Sequence, residues 1–182
     1  MDLFRDKGYG ATSVSDILNK ADARSGSFYY YFDTKKDLLL AVLERYETGL
    51  YPMLLEPAWA GVVDPIDRIF ALLGCYRSFL ALTDCSYGCP IGNLALEIGD
   101  TLPDVRRKIA DNFEGWRLAV RKCLDDAAGR FAHDVDRDKL ATLVLTVMEG
   151  AVMQARAMHR LEAFDASVTM LRDYFDRLLS KP

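Results

Sequence analysis

Residues 8–38 read GYGATSVSDILNKADARSGSFYYYFDTKKDL, and this stretch decides the fold. Ser13 is followed three positions later by Asp16, which is a capping pattern for the start of a helix. After one short helix the chain turns at residues 22–24, and a second short helix begins at Ser25. Two short helices joined by such a turn are typical of a helix-turn-helix, whose second helix enters the major groove of DNA.

The second helix carries residue types that suit a DNA surface. Its first residues, 25–27, are Ser-Gly-Ser and small, so the helix start can approach a duplex, where its amide groups favour a phosphate. Phe28 and Phe32 lie four residues apart and should face the core of the module. The tyrosines at 29–31 cover more than one helix face, so at least two stay available for phosphates, sugars or base edges. A tyrosine triplet alone would also fit an aromatic packing cluster.

The pattern Thr12-Ser13-Val14-x-Asp16-Ile17, then Gly26-Ser27-Phe28-Tyr29-x-Tyr31-Phe32, then Lys35-x-x-Leu38 resembles the DNA-binding module of TetR-family transcriptional regulators. The match is close over residues 3–43, and the rest of the chain agrees in architecture only. The resemblance implies a homodimer whose two recognition helices read a palindromic operator. It also implies a small-molecule effector in the C-terminal domain that changes the separation of those helices.

The resemblance assigns roles position by position. Ser13 would cap the predicted helix over 14–20 against a phosphate. Ser27 and Tyr30 would face bases, and Tyr31 and Lys35 would bind phosphate. Tyr29 would pack within the module and touch the DNA backbone. Together with the small helix start and Arg24, the candidate DNA-binding residues are Ser13, Arg24, Ser25, Gly26, Ser27, Tyr29, Tyr30, Tyr31 and Lys35.

The chain departs from the family pattern at the turn and at its start. Asp22 stands where the family has glycine and must accept a left-handed conformation, which Asp tolerates better than most residues. Arg24 replaces a capping Ser and adds a donor for guanine or phosphate. Only residues 1–7 precede Gly8, so the first helix is short and the usual basic arm is missing. We expect that either the natural chain begins upstream or the chain holds DNA less firmly.

Composition and charge limit the function classes. The chain has 182 residues, 51% of them hydrophobic and 27% charged, and a formal net charge of −4, as in a folded globular protein. The acidic balance argues against a protein that coats nucleic acid without selectivity. Residues 1–45 hold seven Lys and Arg and seven Asp and Glu. We therefore expect few phosphate contacts and a modest salt dependence.

Beyond this module, apolar residues recur at intervals of three and four, and no stretch alternates with period two. We therefore predict an all-α protein: an N-terminal three-helix DNA-binding module over residues 1–45, then a helical effector-binding and dimerisation domain over residues 46–182. The predicted helices span 2–7, 14–20, 25–31, 35–56, 65–82, 91–99, 104–128, 137–159 and 165–180.

The last two long helices are apolar over more surface than a monomer can bury, and the small Gly150 and Ala151 would let another helix approach closely. The resemblance implies a four-helix bundle here, with two helices from each subunit, while packing within one chain is the alternative. The candidate dimer-interface residues are Val147, Gly150, Ala151, Leu171, Tyr174 and Leu178.

Residues 65–128 combine many aromatic side chains with a few polar groups on apolar turns, which is the composition of a small-molecule site. Each of these aromatics taken singly also fits a core position. The candidate effector-pocket residues are Tyr76, Phe79, Asn93, Glu97, Phe113 and Trp116.

Cys85 and Cys89 lie four residues apart before Pro90 and suggest an alternative function, thiol-based sensing of oxidants or electrophiles. Two small buried residues explain the same pair, and we favour this interpretation because no adjacent Lys or His lowers a thiol pKa. His133 and His159 have no ligand spacing to the cysteines, so no metal site is predicted.

No nucleophile motif or glycine-rich phosphate loop occurs, so we predict neither an enzyme nor a cofactor. A helical enzyme or adaptor that uses a pocket without binding DNA is the alternative from another class.

We find no uncharged apolar stretch near the ~18 residues that span a bilayer, and no signal peptide. We therefore expect a cytoplasmic protein with reduced thiols and no membrane partner.

Overall fold

The structure, a computed structural model, describes residues 1–98, 101–132 and 134–179. These residues form helices and no strand, with one isolated bridge between Phe131 and Leu179, so the all-α prediction is confirmed. The helices are α1 (Asp2–Lys7), α2 (Val14–Ala21), α3 (Ser25–Tyr31), α4 (Lys35–Gly49), α5 (Glu56–Trp59), α6 (Pro65–Leu82), α7 (Pro90–Ile98), α8 (Pro103–Asp126), α9 (Arg137–Met158) and α10 (Glu162–Leu178).

The predicted helix over 35–56 differs most from the structure. Helix α4 ends at Gly49, and the chain continues through a π-helical segment, Leu50–Leu55, into α5. Pro52 lies inside that segment and has no N–H to donate to a carbonyl four residues earlier, which explains why the regular helix stops there. The predicted helix ends at residues 99 and 180 lie outside the described residues.

The chain divides into two compact units. The first comprises Met1–Thr48 and Cys89–Phe113, and the second comprises Gly49–Gly88 and Glu114–Pro182. The first unit therefore contains the predicted DNA-binding module together with α7 and the first part of α8. Sequence alone had placed these two segments in the C-terminal domain, because they carry no motif that ties them to the module.

In the first unit, the core side chains come from α1, α3, α4, α7 and α8, and polar contacts tie α8 to α4. The Asn112 amide is buried and donates to the Leu43 carbonyl at 3.2 Å and to the Lys108 carbonyl at 2.8 Å. The Lys108 ammonium lies 2.7 Å from the Glu47 carboxylate. The core side chains are Phe4, Phe28, Leu39, Val42, Leu43, Ile91, Leu94, Ile98, Val105 and Ile109.

In the second unit, α9 and α10 pack against each other and against α6. The Phe70 and Phe175 rings meet edge to face at 5.4 Å, and Phe164 and Phe175 are fully buried. Helix α9 is, among the described helices, long and apolar enough to cross a membrane by length and composition alone. Its buried stripe runs from Leu140 to Ala155, as in the core helix of a folded domain.

Candidate nucleic-acid interface

The start of α2 is fixed by the capping pattern that the sequence predicts. The Ser13 hydroxyl accepts the Asp16 amide N–H at 3.0 Å, and the Asp16 carboxylate accepts the Ser13 N–H at 2.9 Å. The Ser13 N–H and the Ser13 hydroxyl both donate to the Asp16 carboxylate, and these two bonds hold the pKa of Asp16 below its usual range. The N-cap prediction for Ser13 is confirmed, while its contact with a DNA phosphate stays a prediction.

The turn between α2 and α3 accommodates both departures from the family pattern. Asp22 adopts the left-handed conformation, with φ 49° and ψ 44°, as the loss of a glycine there requires. The N–H of Ala23 donates to the Leu18 carbonyl at 3.0 Å and closes the end of α2. Arg24 occupies the N-cap position of α3 without a side-chain capping bond. Its exposed guanidinium can therefore reach a ligand outside the chain.

Helix α3 buries one aromatic side chain and exposes three. Phe28 is 6% exposed, whereas Tyr29, Tyr30 and Tyr31 are 59%, 80% and 73% exposed. The rings of Tyr30 and Tyr31 meet edge to face at 4.8 Å, so they support each other on the outer surface. The packing-cluster alternative therefore accounts for Phe28, but not for three tyrosines that lie in solvent.

The beginning of α3 has no bulk above it. A Cβ atom added at Gly26 would meet nothing within 4 Å, and Ser25 and Ser27 are exposed beside it. The helix start is thus open to close approach by a large partner, as the small residues predicted.

Lys35 has a use inside the module that sequence reasoning missed. Its ammonium donates to the carbonyls of Tyr9 and Thr12, at 2.8 Å each, and lies 4.2 Å from the centre of the Tyr9 ring. A lysine ammonium has three N–H groups, so these two bonds leave one for a phosphate. Lys35 therefore holds the loop before α2, and its contact with a DNA phosphate stays a prediction.

In the second unit, a groove of about 580 Å³ runs between α9 and α10. Five of the six predicted dimer-interface residues line it: Val147, Gly150, Ala151, Leu171 and Tyr174. Leu178 is half-buried and is not among the lining residues. Sequence reasoning missed the other lining residues, which are Leu143, Thr146, Gln154, Ala166, Ser167 and Met170.

The predicted pocket residues fall in both compact units. In the second unit, the rings of Tyr76 and Trp116 lie 5.4 Å apart, and Phe79 is 38% exposed on α6. In the first unit, Asn93 and Phe113 are half-buried.

Glu97 was predicted as a polar group of the effector pocket, but its carboxylate has other partners in the structure. It accepts the backbone N–H of Tyr9 at 2.8 Å and that of Gly10 at 2.6 Å. Both carboxylate oxygens are therefore engaged by a loop of the DNA-binding module, and a part for Glu97 in an effector pocket stays a prediction.

The cysteines give little support to thiol sensing. Cys85 and Cys89 are buried, and burial with the nearby carboxylate of Asp84 raises the pKa of the Cys85 thiol. Burial also raises the pKa of Cys123 to about 11. A raised pKa keeps a thiol protonated at neutral pH, where the thiolate is the reactive form.

Among the described residues, no group of three potential ligands could hold a metal ion. His159 is the C-cap residue of α9, and its ring Nδ1 lies 3.4 Å from the Asp84 carbonyl oxygen. His133 lies outside the described residues.

A capped α2, a closed turn and an α3 with exposed tyrosines define a helix-turn-helix DNA-binding protein, and the helices that follow carry a separate apolar groove. Comparison with known protein families agrees with this class of protein. Residues 1–42 match the tetR family of bacterial regulatory proteins, and residues 65–171 match the tetracyclin repressor-like C-terminal domain. The chain belongs to the TetR family and is a transcriptional regulator.

Individual relatives match most of this chain. The transcriptional regulator AcuR of Cereibacter sphaeroides is 31% identical over 83% of this chain and 70% of its own. The transcriptional repressor DhaR of a Mycobacterium species is 27% identical over 97% of this chain and 87% of its own. A crystal structure of a TetR regulatory protein from Rhodobacter sphaeroides superimposes with a TM-score of 0.85 at 28% identity, covering 98% of this chain and 94% of that one.

Proposed function

We propose that this chain is a cytoplasmic, homodimeric repressor that binds a palindromic operator and is released by a small-molecule effector. The observation that carries the proposal is the outer surface of α3, where three tyrosines are 59–80% exposed behind an open helix start. Exposed aromatic rings with hydroxyl tips suit contacts with base edges and phosphates. The name of the relative DhaR supports repression, and family membership supports an effector.

The proposed DNA contacts divide into base reading and backbone binding. Tyr30 is the most exposed tyrosine, and with Ser27 and Arg24 it would read base edges in the major groove. Backbone phosphates would be held by residues at the helix starts and along the flank of α3. These are Ser13, Ser25, Gly26, Tyr29, Tyr31 and the remaining N–H of Lys35.

The groove between α9 and α10 supports a homodimer. In its wall, Met170 is 65% exposed and Tyr174 is 44% exposed, and both lie beside the small residues Gly150 and Ala166. Apolar side chains next to small ones permit close approach of another helix pair. A second copy of the chain would place the same surface opposite itself, which is the geometry of a two-fold symmetric interface.

Selection from a pool of randomised DNA duplexes tests the proposed function. We expect the wild-type chain to enrich a palindromic sequence, and a gel shift with that duplex to give a single retarded complex. Failure to enrich any sequence would contradict the proposal and favour a pocket protein that does not bind DNA. Ligand classes can then be screened for release of the selected duplex.

A further inference from the structure

The loop from Gly8 to Thr12 joins α1 to α2, and it is held at its backbone from two sides. The Glu97 carboxylate accepts two consecutive N–H groups, those of Tyr9 and Gly10, at 2.8 and 2.6 Å. The Lys35 ammonium donates to the carbonyls of Tyr9 and Thr12. An anion on the amides and a cation on the carbonyls fix the loop through charge-assisted hydrogen bonds, which are the stronger kind.

Two glycines make the approach of the carboxylate possible. Gly8 has φ +83°, and a Cβ atom there would lie 2.8 Å from the Glu97 Oε2 atom. A Cβ atom at Gly10 would lie 3.1 Å from the Glu97 Oε1 atom. The two consecutive amides of Tyr9 and Gly10 thus bind an anion, and the anion is a carboxylate of α7 in the same chain.

The loop leads directly into the recognition machinery. The buried Thr12 hydroxyl donates to the Gly8 carbonyl at 2.6 Å, and the next residue, Ser13, caps α2. Because both N–H groups and carbonyls of this loop are bound by side chains, the loop fixes where α2 begins. Because α2 and α3 pack together through the turn at Asp22, the start of α2 also sets the orientation of α3.

Glu97 itself is anchored by its helix. It lies in the last turn of α7, whose Ile91, Leu94 and Ile98 are 2–4% exposed in the core of the first unit. The side chain of Glu97 is exposed, so its contribution to overall stability is small, and its effect falls on the position of the loop.

We propose that Glu97 is a positioning residue for operator recognition, because its carboxylate holds the Tyr9 and Gly10 amides and thereby sets the start of α2. The proposal rests on the proposed function, since it assigns Glu97 a part in DNA binding. It gives the carboxylate a role in reading DNA from outside the helix-turn-helix, and it replaces the pocket role that the sequence had indicated.

The test compares Glu97→Gln with Glu44→Gln. Glu44 is an exposed residue of α4 in the same unit, so both substitutions remove one negative charge. Loss of charge alone should strengthen binding to DNA slightly, so it works against the expected effect. We expect Glu97→Gln to weaken binding to the duplex selected by the wild-type chain by about fivefold, as for the loss of one hydrogen bond. Its affinity for an unrelated duplex of equal length and its melting temperature should stay near the wild-type values.

A measurement without DNA reports on the loop directly. Hydrogen exchange at the Tyr9 and Gly10 amides should accelerate in Glu97→Gln and stay unchanged in Glu44→Gln. In addition, Gly10→Ala should weaken binding in the wild-type background but have little further effect in the Glu97→Ala background, because the two changes act through one contact.

The outcomes separate the two proposals. If the wild-type chain selects no duplex, the proposed function fails, and amide exchange still reports on the loop. If the wild-type chain binds and Glu97→Gln binds equally or more tightly than Glu44→Gln, the positioning role is overturned. Equal loss for the selected and the unrelated duplex, together with a lowered melting temperature, would also overturn it, since that pattern describes a purely structural residue.

Discussion

Two surfaces of this molecule expose large apolar side chains, and their chemistry differs. On α3, Tyr29, Tyr30 and Tyr31 present aromatic rings with hydroxyl groups beside serines. In the groove between α9 and α10, Leu143 and Met170 stand beside glycine and alanine, with few polar groups. The first surface can donate and accept hydrogen bonds at its tips, as a duplex requires. The second offers mainly shape and apolar area, as a second copy of the chain requires.

The difference teaches that exposure alone does not identify a partner. Both surfaces expose apolar atoms to water. The hydroxyl groups on α3, and their scarcity in the groove, distinguish a surface that suits DNA from one that suits another protein. Under the proposed function the two surfaces also depend on each other, because a palindrome would be read by two α3 helices that only a dimer can supply. The following predictions break one surface at a time.

The largest effect is expected from a charge placed in the groove. A Cβ atom at Gly150 would meet nothing within 4 Å, so Gly150→Glu should leave the single chain folded. It should prevent dimerisation, because a carboxylate would be buried against the second copy. Binding to the selected palindrome should fall by about a hundredfold, since the two reading heads are no longer linked.

Gly74→Glu is the matched control for this change. Gly74 lies in α6, is exposed, and has equally open space around it. Analytical ultracentrifugation should give a monomer for Gly150→Glu and a dimer for Gly74→Glu. A dimer for both variants would show that the groove is not the interface.

A smaller effect is expected at the DNA-facing surface. Tyr30→Phe removes only a hydroxyl from a side chain that is 80% exposed, so folding and dimerisation should not change. Binding to the selected duplex should weaken by about tenfold, which is near the lower end of the effect of losing one base contact. The preferred sequence should change at one position of each half-site.

Tyr51→Phe provides the comparison, because Tyr51 is 60% exposed in the second unit. Fluorescence anisotropy should give wild-type affinity for that variant. An unchanged sequence preference for Tyr30→Phe would remove Tyr30 from the base-reading residues.

The sequence predicted some features of these two surfaces but not the partners of individual side chains. The N-cap at Ser13 and the left-handed Asp22 followed from local residue types, because a cap and a turn involve neighbours in sequence. Small residues at helical spacing also located most of the groove. The partners of Lys35 and Glu97 could not be predicted, because both side chains bind backbone atoms, which leave no pattern in the sequence.

A third effect should stay local to the turn. Asp22 has φ 49°, a conformation that a β-branched residue adopts poorly, so Asp22→Val should lower the free energy of unfolding by about 1 kcal/mol. Asp33→Val is the control, since Asp33 is exposed with ordinary backbone angles. Urea unfolding measures both, and dimerisation should be unchanged. Equal destabilisation by the two variants would contradict the assigned strain.

The smallest effect is expected for the thiols. The pKa of Cys123 is raised to about 11 and that of Cys85 is also raised, so both stay protonated at pH 7. Iodoacetamide should therefore label both slowly in the folded protein and quickly in urea. Labelling should accelerate only as the pH rises well above neutral, because the thiolates form there. Rapid labelling of Cys85 at pH 7, followed by mass spectrometry of its peptide, would revive the sensing alternative.

The most direct measurement compares the affinity of the wild-type chain for the full selected palindrome with its affinity for a duplex that carries one half-site. Two copies joined through α9 and α10, each with its own α3, should bind the palindrome about a hundredfold more tightly. Two chains should be found on each palindrome by native mass spectrometry. Equal affinities for the half-site and the palindrome, with one chain on each duplex, would contradict a dimeric operator-binding regulator.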